Sequence, residues 1–171
     1  MLSTLNRRQL NLAGFAACAA LLAFAFYAEY GLKLLPCNMC MLQRIVVVKL
    51  GLLLLLAGLH DPGERGAKIY GVLIGLQGLA GVALAARHVW MQLQPLGSLP
   101  SCGADFATLV SMLPPWEVVL KIVRGGGDCQ AITWTFLGVS MPAWLLIAFV
   151  ALTLAAVIGN FRLERATRPT R

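Results

Sequence analysis

Two cysteines three residues apart, Cys37 and Cys40, stand at the mouth of a long apolar run in the stretch Pro36-Cys37-Asn38-Met39-Cys40-Met41-Leu42-Gln43-Arg44. If a helix begins at about Cys37, Cys40 and Arg44 share one face, a turn apart. A thiol near a helix N-terminus with a guanidinium beside it is stabilised as the thiolate. At a membrane edge such a sulfur is both nucleophile and redox group. Three more cysteines complete the set: Cys18 in an apolar run, and Cys102 and Cys129 far apart in a more polar one.

The elements that hold these residues are membrane elements. Of 171 residues, 59% are hydrophobic and 12% charged, too much apolar surface for one soluble core. Four apolar segments stand out, from Arg8 to Glu29, Met41 to Leu59, Ile69 to Ala86 and Ala143 to Gly159. Each is near the roughly 20 residues needed to cross hydrocarbon. The pattern predicts an all-α membrane protein, one four-helix transmembrane bundle over 1–171, with spans at about 10–32, 41–59, 69–86 and 143–160. The loops at about 33–40 and 87–142 then share the outer side.

The net charge of +7 does not imply nucleic acid. Arg7, Arg8, Arg65, Lys68, Arg162, Arg165, Arg168 and Arg171 fall at three places that an even number of spans puts on one side. Lys33, Arg87, Lys121 and Arg124 fall on the other. This bias places both termini in the cytoplasm. Cys37, Cys40, Cys102 and Cys129 then face an oxidising compartment, where an even set points to disulfides.

The start could pass for a signal peptide, since Phe15-Ala16-Ala17-Cys18 resembles a weak lipoprotein cleavage site. The apolar run continues well past it, so an uncleaved span is expected, with Cys18 a packing residue. Glu29 is expected to reach the headgroups, the alternative being an ion pair with Arg44 or Lys49. Lys49, roughly 13 Å deeper than Cys40 at ~1.5 Å rise per residue, is expected to face the bundle interior with a partner. Gly71, Gly75, Gly78 and Gly81 lie toward one side of the third span and predict close helix packing, and Gln77 is placed to bond across helices.

In the long loop, Pro115 suits a first helical position, and Trp116, Val119, Leu120 and Val123 recur at helical spacing opposite Glu117, Lys121 and Arg124. The pattern predicts a short amphipathic helix flat on the membrane surface, the alternative being a helix packed on other loop residues. Gly125-Gly126-Gly127 ends it, as a plain helix stop or as a tether that lets Cys129 travel.

Cys-x-x-Cys alone is shared by metal and redox sites. Two pairs on the outer face of a four-span bundle say more. Thiol–disulfide exchange moves two electrons from one pair to another through a mixed disulfide. A pair at the membrane edge can pass them on to a lipid-soluble two-electron acceptor, for which a quinone is the obvious candidate.

The sequence resembles the bacterial disulfide bond formation protein B family (DsbB). The matching stretches are Pro36 to Arg44 as quoted, Gly127-Asp128-Cys129, and Phe136-Leu137-Gly138-Val139-Ser140-Met141-Pro142-Ala143-Trp144, and the order of spans and loops matches over nearly the whole chain. The resemblance implies an oxidoreductase of the bacterial inner membrane, its large loop and cysteines periplasmic. Such an enzyme re-oxidises a soluble DsbA-like thiol oxidase and passes the electrons to ubiquinone or menaquinone. It implies that the partner's thiolate attacks Cys102, that released Cys129 attacks Cys37, and that Cys40 is the thiolate in contact with the quinone. Arg44 would stabilise that thiolate and the developing charge on the quinone. His88 matches a family position linked to the quinone, the alternative being a solvated interfacial histidine. The stretch Cys102-Gly103-Ala104-Asp105-Phe106 departs from the family, with extra residues between the cysteine and the Asp-Phe pair. Partners beyond this are membrane lipid and the quinone pool; no metal site and no nucleic acid are expected. Rival readings are a bundle like the vitamin K epoxide reductase family, a Cys-x-x-Cys metal carrier, and a structural subunit with loop-bracing disulfides.

Overall fold

The computed structural model describes residues 6–101, 103–125 and 127–162. Cys102, Arg165, Arg168 and Arg171 lie outside the described residues. Four long helices make up the body: α1 (Arg7–Phe26), which runs on as a π-helical turn over Tyr27–Gly31, α2 (Asn38–His60), α3 (Glu64–Gln92), and, after the long loop, a fourth over Met141–Arg162. All four are long and apolar enough to cross a membrane. Asn6 starts α1 through a reciprocal capping box with Gln9. Asp61 ends α2 in the left-handed conformation at φ +38°, and Pro62 follows it.

Between α3 and the last helix the loop folds into α4 (Phe106–Met112), α5 (Pro115–Arg124), a 3-10 turn over Gly127–Cys129 and a two-stranded hairpin, β1 (Thr135–Phe136) with β2 (Val139–Ser140). The last long helix is therefore α6. Consecutive long helices are neighbours, and α6 closes the ring against α1 and, most extensively, against α3. Leu50, Leu54, Ile74 and Phe149 fill the centre. Leu52, Leu56, Leu76, Leu79 and Leu154 point outward, as they should where the solvent is lipid.

Gly71, Gly75, Gly78 and Gly81 of α3 face α6. An added Cβ would meet the Phe161 ring at 2.9 Å from Gly71, Val157 at 3.3 Å from Gly75, Thr153 Oγ1 at 2.0 Å from Gly78 and the Phe149 ring at 2.5 Å from Gly81. The backbones approach because no side chain intervenes, the usual basis of helix association in lipid. Gly81→Ala and Gly78→Ala should each destabilise the bundle by about 1–3 kcal/mol through overpacking, against ~1 kcal/mol regained in helix propensity. Gly75→Ala should come out near neutral. Thermal unfolding of the purified variants in one detergent checks the order; equal melting of all three would refute the packing argument.

Gln77 bonds across helices, its Nε2–H donating to the Val46 carbonyl at 3.5 Å. Cys18 is buried against Gly51, a packing residue. Lys49 differs from expectation. Val47, Leu50, Gly51 and Leu54 turn inward, and this puts Lys49 outward with Val48 and Leu52. The packing face of α2 is set by those apolar residues, and the long lysine stem is left on the outer surface.

α5 begins at Pro115 and docks through Val118 and Ile122 onto Met39, Met91 and Leu109. Trp116, Val119 and Leu120 remain uncovered. Two adjacent sides of this helix are therefore apolar, one packed on the protein and one open. The hairpin was not expected from the sequence. Leu137 and Gly138 make its turn with φ of +52° and +77°, the pair of positive values that a tight two-residue hairpin requires.

Candidate redox site

Cys37 is the N-cap of α2, its Sγ accepting from the Cys40 N–H at 3.4 Å. That geometry places Cys40 in the first turn, and the two sulfurs are 3.2 Å apart. Cys129 arrives from the far end of the loop. Its Sγ, the Cys37 Sγ and a ring nitrogen of His88 all lie within 4.8 Å of one another. Cys37 is thus the central sulfur, with Cys40 on one side and Cys129 on the other. All four are candidates in the sequence, and the fold brings them together.

What fixes Cys129 is a set of contacts that the glycine run did not suggest. Gly125 caps α5 through its N–H to the Lys121 carbonyl at 2.8 Å. The Gly127 N–H donates to the Pro100 carbonyl at 3.1 Å, and a Cβ there would strike the Leu99 carbonyl at 2.7 Å. Gly127 is needed for close approach of two backbones, and in this arrangement the turn is pinned. Gln130, buried, clamps it from the other side. Its Nε2 donates to the Pro95 carbonyl at 2.7 Å and to Ser98 Oγ at 3.2 Å, and its Oε1 accepts from the Gly97 N–H at 3.1 Å.

The neighbours of Cys102 are tied into the same place. Ser101 Oγ donates to the carboxylate of Asp128 at 3.1 Å, one residue before Cys129. Asn38 Nδ2 donates to the Ala104 carbonyl at 2.9 Å, one residue after Cys37. Ala104, in the stretch that departs from the family pattern, is therefore tied to the start of α2.

His88 is buried, so a solvated interfacial histidine is not what the fold makes of it. Its Nε2 lies 3.7 Å from Cys37 Sγ, and its Nδ1–H donates to Gln43 Oε1 at 3.4 Å. Gln43, also buried, leaves its Nε2 without a partner among the described residues. Gln43 is not among the site residues expected from the sequence, although a polar residue one position before Arg44 in an apolar helix is the available signal. Arg44 donates through Nη1 to the carboxylate of Glu29 and through Nη2 to the Ala25 carbonyl at 3.1 Å, with its guanidinium 5.2 Å from the Phe26 ring centre. Glu29 therefore pairs with Arg44 and does not reach for headgroups. It sits in the π-helical turn, and the pair is largely withdrawn from solvent, so that losing either partner would leave the other charge uncompensated.

A cavity of about 520 Å³ opens beside these groups, between the end of α1, the start of α2, the end of α3 and the segment from Asp128 to Leu145. Cys37, Cys40, Gln43, Arg44, His88 and Cys129 reach into it. Phe24, Trp134, Phe136 and Trp144 form its aromatic wall, with Trp134 and Phe136 stacked at 6.2 Å. The hairpin carries Phe136 to this place. It is held by Ser140 Oγ to Gln92 Oε1 at 2.7 Å and by Trp144 Nε1–H to the Phe136 carbonyl at 3.1 Å. On the other side of Cys37 lies a shallower cleft bounded by Met41, Ser101, Gly103, Asp105 and Phe106.

The hydrogen bond between Cys37 and Cys129 holds the Cys129 thiol below its ordinary pKa and pushes that of Cys37 up. Cys37 holds its proton more tightly despite its place at a helix N-terminus, and Cys129 ionises more readily than a free cysteine, toward the nucleophilic form. Because the Cys129 pKa is lowered, its thiolate persists to lower pH than that of a free cysteine. In reduced protein, Cys37→Ala should move the pH midpoint of Cys129 alkylation by iodoacetamide upward, and slow the reaction at pH 7 by about tenfold. Peptide mapping by mass spectrometry reads this site alone; an unmoved midpoint would show that Cys37 does not tune it.

Comparison with known proteins agrees with the geometry. A family model described as "Disulfide bond formation protein DsbB" matches residues 7–159. The chain is 45% identical over 152 residues to a protein of Xanthomonas campestris pv. campestris (strain 8004), 88% of each chain being covered. It is 45% identical over 152 residues to one of Azoarcus sp. (strain BH72), covering 89% of this chain and 91% of the other. It is 43% identical over 145 residues to one of Chromobacterium violaceum, covering 85% and 87%. All three relatives bear the name "Disulfide bond formation protein B".

Proposed function

Because the chain belongs to the DsbB family, and is on that ground a multi-pass membrane oxidoreductase of disulfide bond formation, we propose that it re-oxidises a soluble DsbA-like dithiol protein and delivers the electrons to a membrane quinone. The observation that carries the reading is the row of three sulfurs with Cys37 in the middle. Exchange needs an attacking sulfur, a central sulfur and a leaving sulfur, and Cys129, Cys37 and Cys40 stand in that order.

The relay starts from two disulfides, Cys102–Cys129 and Cys37–Cys40. The partner's thiolate attacks Cys102, and the Cys102–Cys129 bond breaks. Cys129 leaves as a thiolate, and the partner's second thiol then resolves the mixed disulfide, oxidising the partner and leaving Cys102 reduced. Cys129 attacks Cys37 and breaks the Cys37–Cys40 bond, so that Cys40 holds the electron pair. Cys102 attacks Cys129 in turn, restoring the loop disulfide and leaving Cys37 and Cys40 reduced.

A quinone bound there would supply the two-electron oxidising power, and Cys37 and Cys40 would give up two electrons and two protons on returning to the disulfide. The cavity suits such a ring. Its walls are aromatic, and the unpartnered Gln43 Nε2–H is a donor for a carbonyl oxygen. Arg44 stabilises negative charge beside Cys40, and His88, oriented by Gln43, holds Cys37 toward the pair. Orientation follows the same reading: both termini cytoplasmic, the cysteines and the long loop periplasmic, the membrane the bacterial inner one.

The test mixes purified protein, a reduced DsbA-like partner and a short-chain quinone, and follows quinone absorbance and partner thiols together. One quinone reduced per partner disulfide formed is expected. With a partner whose second cysteine is replaced by serine, a mixed adduct through Cys102 should persist on a non-reducing gel, since the partner's own resolving thiol is gone. Partner oxidation without quinone consumption, or no adduct, would overturn the relay.

A further inference from the structure

We propose that the reduced site is also a metal site, in which Cys37, Cys129 and His88 bind one soft divalent ion of the zinc and cadmium class and so hold the protein out of its redox cycle. Three observations lead there. First, the three donor atoms converge, all within 4.8 Å of one another, and among the described residues no other group of three histidine, cysteine or carboxylate donors does so. Second, the spacing suits a tetrahedral ion. With Zn–S near 2.3 Å and Zn–N near 2.0–2.1 Å, a sulfur–nitrogen edge is about 3.6 Å, and Cys37 Sγ lies 3.7 Å from His88 Nε2. Third, His88 is arranged as ligating histidines are. Its Nδ1–H is engaged by Gln43 Oε1, which leaves the Nε2 lone pair facing the sulfurs.

Cys40 is a poorer member of the set. Its sulfur is 3.2 Å from Cys37, shorter than the roughly 3.8 Å edge between two zinc-bound sulfurs. The fourth position therefore opens to the cavity, which all three ligands line and through which an ion can enter. Binding changes no oxidation state. The ion replaces the thiol protons of Cys37 and Cys129, two protons go to solvent, and both sulfurs become unavailable for exchange. Oxidation to a disulfide removes the ligands, so the ion binds the reduced protein alone.

The experiment uses the full chain in lipid nanodiscs, with Cys18→Ser and Cys102→Ser so that only the site sulfurs remain. The protein is reduced, freed of reductant and titrated with Cd²⁺, and no quinone or partner is present, so the outcome is independent of the relay. Expected are an ultraviolet thiolate-to-cadmium band saturating at one ion per chain, protection of Cys129 from alkylation, and reversal by a chelator. Cys129→Ser should abolish the band, Cys40→Ser should retain it, and Gln43→Ala should weaken binding by about 10–100-fold through loss of the His88 orientation. No band and no protection of Cys129 in the unsubstituted site would overturn the proposal. So would a band that survives Cys129→Ser and disappears with Cys40→Ser, which would mean a Cys37–Cys40 chelate. Protection is read in the protein with its site intact, so a variant that misfolds does not remove the test.

Discussion

Cys40→Ser protein should reduce quinone at least about 10³-fold more slowly than the parent, while still forming a mixed disulfide between Cys37 and Cys129. The two halves of this result come from one geometry. Cys37 is reached by sulfurs from both sides, so removing Cys40 takes away its exit toward the cavity and leaves it a free thiol that can attack Cys129 of the Cys102–Cys129 disulfide, with Cys102 leaving. Serine at position 40 keeps a polar group of similar size in the first turn of α2, but its hydroxyl neither forms a disulfide nor ionises near neutral pH. Stopped-flow absorbance of the quinone gives the first half, and a non-reducing peptide map gives the second. Residual turnover within tenfold of the parent would mean that electrons leave from Cys37.

Arg44→Ala should lower quinone turnover by about 10²-fold, near 2.7 kcal/mol of lost charge stabilisation. Interpreting that number requires Glu29. The Arg44–Glu29 pair is largely withdrawn from solvent, and removing the guanidinium alone strands a carboxylate at the membrane edge. A single substitution therefore mixes a folding cost with a catalytic one. In the double variant Glu29→Gln, Arg44→Ala the folding cost should largely disappear and the turnover defect should remain. Glu29→Gln alone leaves Arg44 with its full charge beside the cavity and should keep turnover at or above that of the parent. Melting temperature and turnover measured for all four corners of the cycle separate the two effects. A double variant that regains both would show that Arg44 serves only to hold Glu29.

Much of the fold was legible because lipid imposes a simple grammar on sequence. Uninterrupted apolar runs of sufficient length mark helices, and glycines recurring along α3 mark its contact with α6. Cys37, Cys40 and Cys129 could be singled out in advance because few residue types do redox chemistry, and Arg44 because it stands one helical turn past Cys40; the fold brings the three sulfurs together. Other features depend on tertiary packing that no local pattern carries. Lys49 faces out because Leu50 and Leu54 face in, a choice that a helix apolar nearly all round does not announce. Glu29 found Arg44 across a π-helical turn, which shifts the facing of residues by a step that ordinary helical spacing does not predict. The hairpin is two residues per strand, too short for alternation to register, and Gly138 was its sole marker. The glycines after α5 suggested slack; Gly127 instead lets two main chains touch, a requirement seen only when Pro100 is known to lie beside it.

The position of Cys37 has one more consequence. Of the described cysteines it alone borders both the aromatic cavity and the shallower cleft across from it. On the proposed reading a bulky protein substrate and a greasy small one are served from separate chambers, and neither has to wait for the other to bind. Such an arrangement is a double-displacement machine. The enzyme itself stores the reducing equivalents between two half-reactions, and its steady-state rate plots should run as parallel lines.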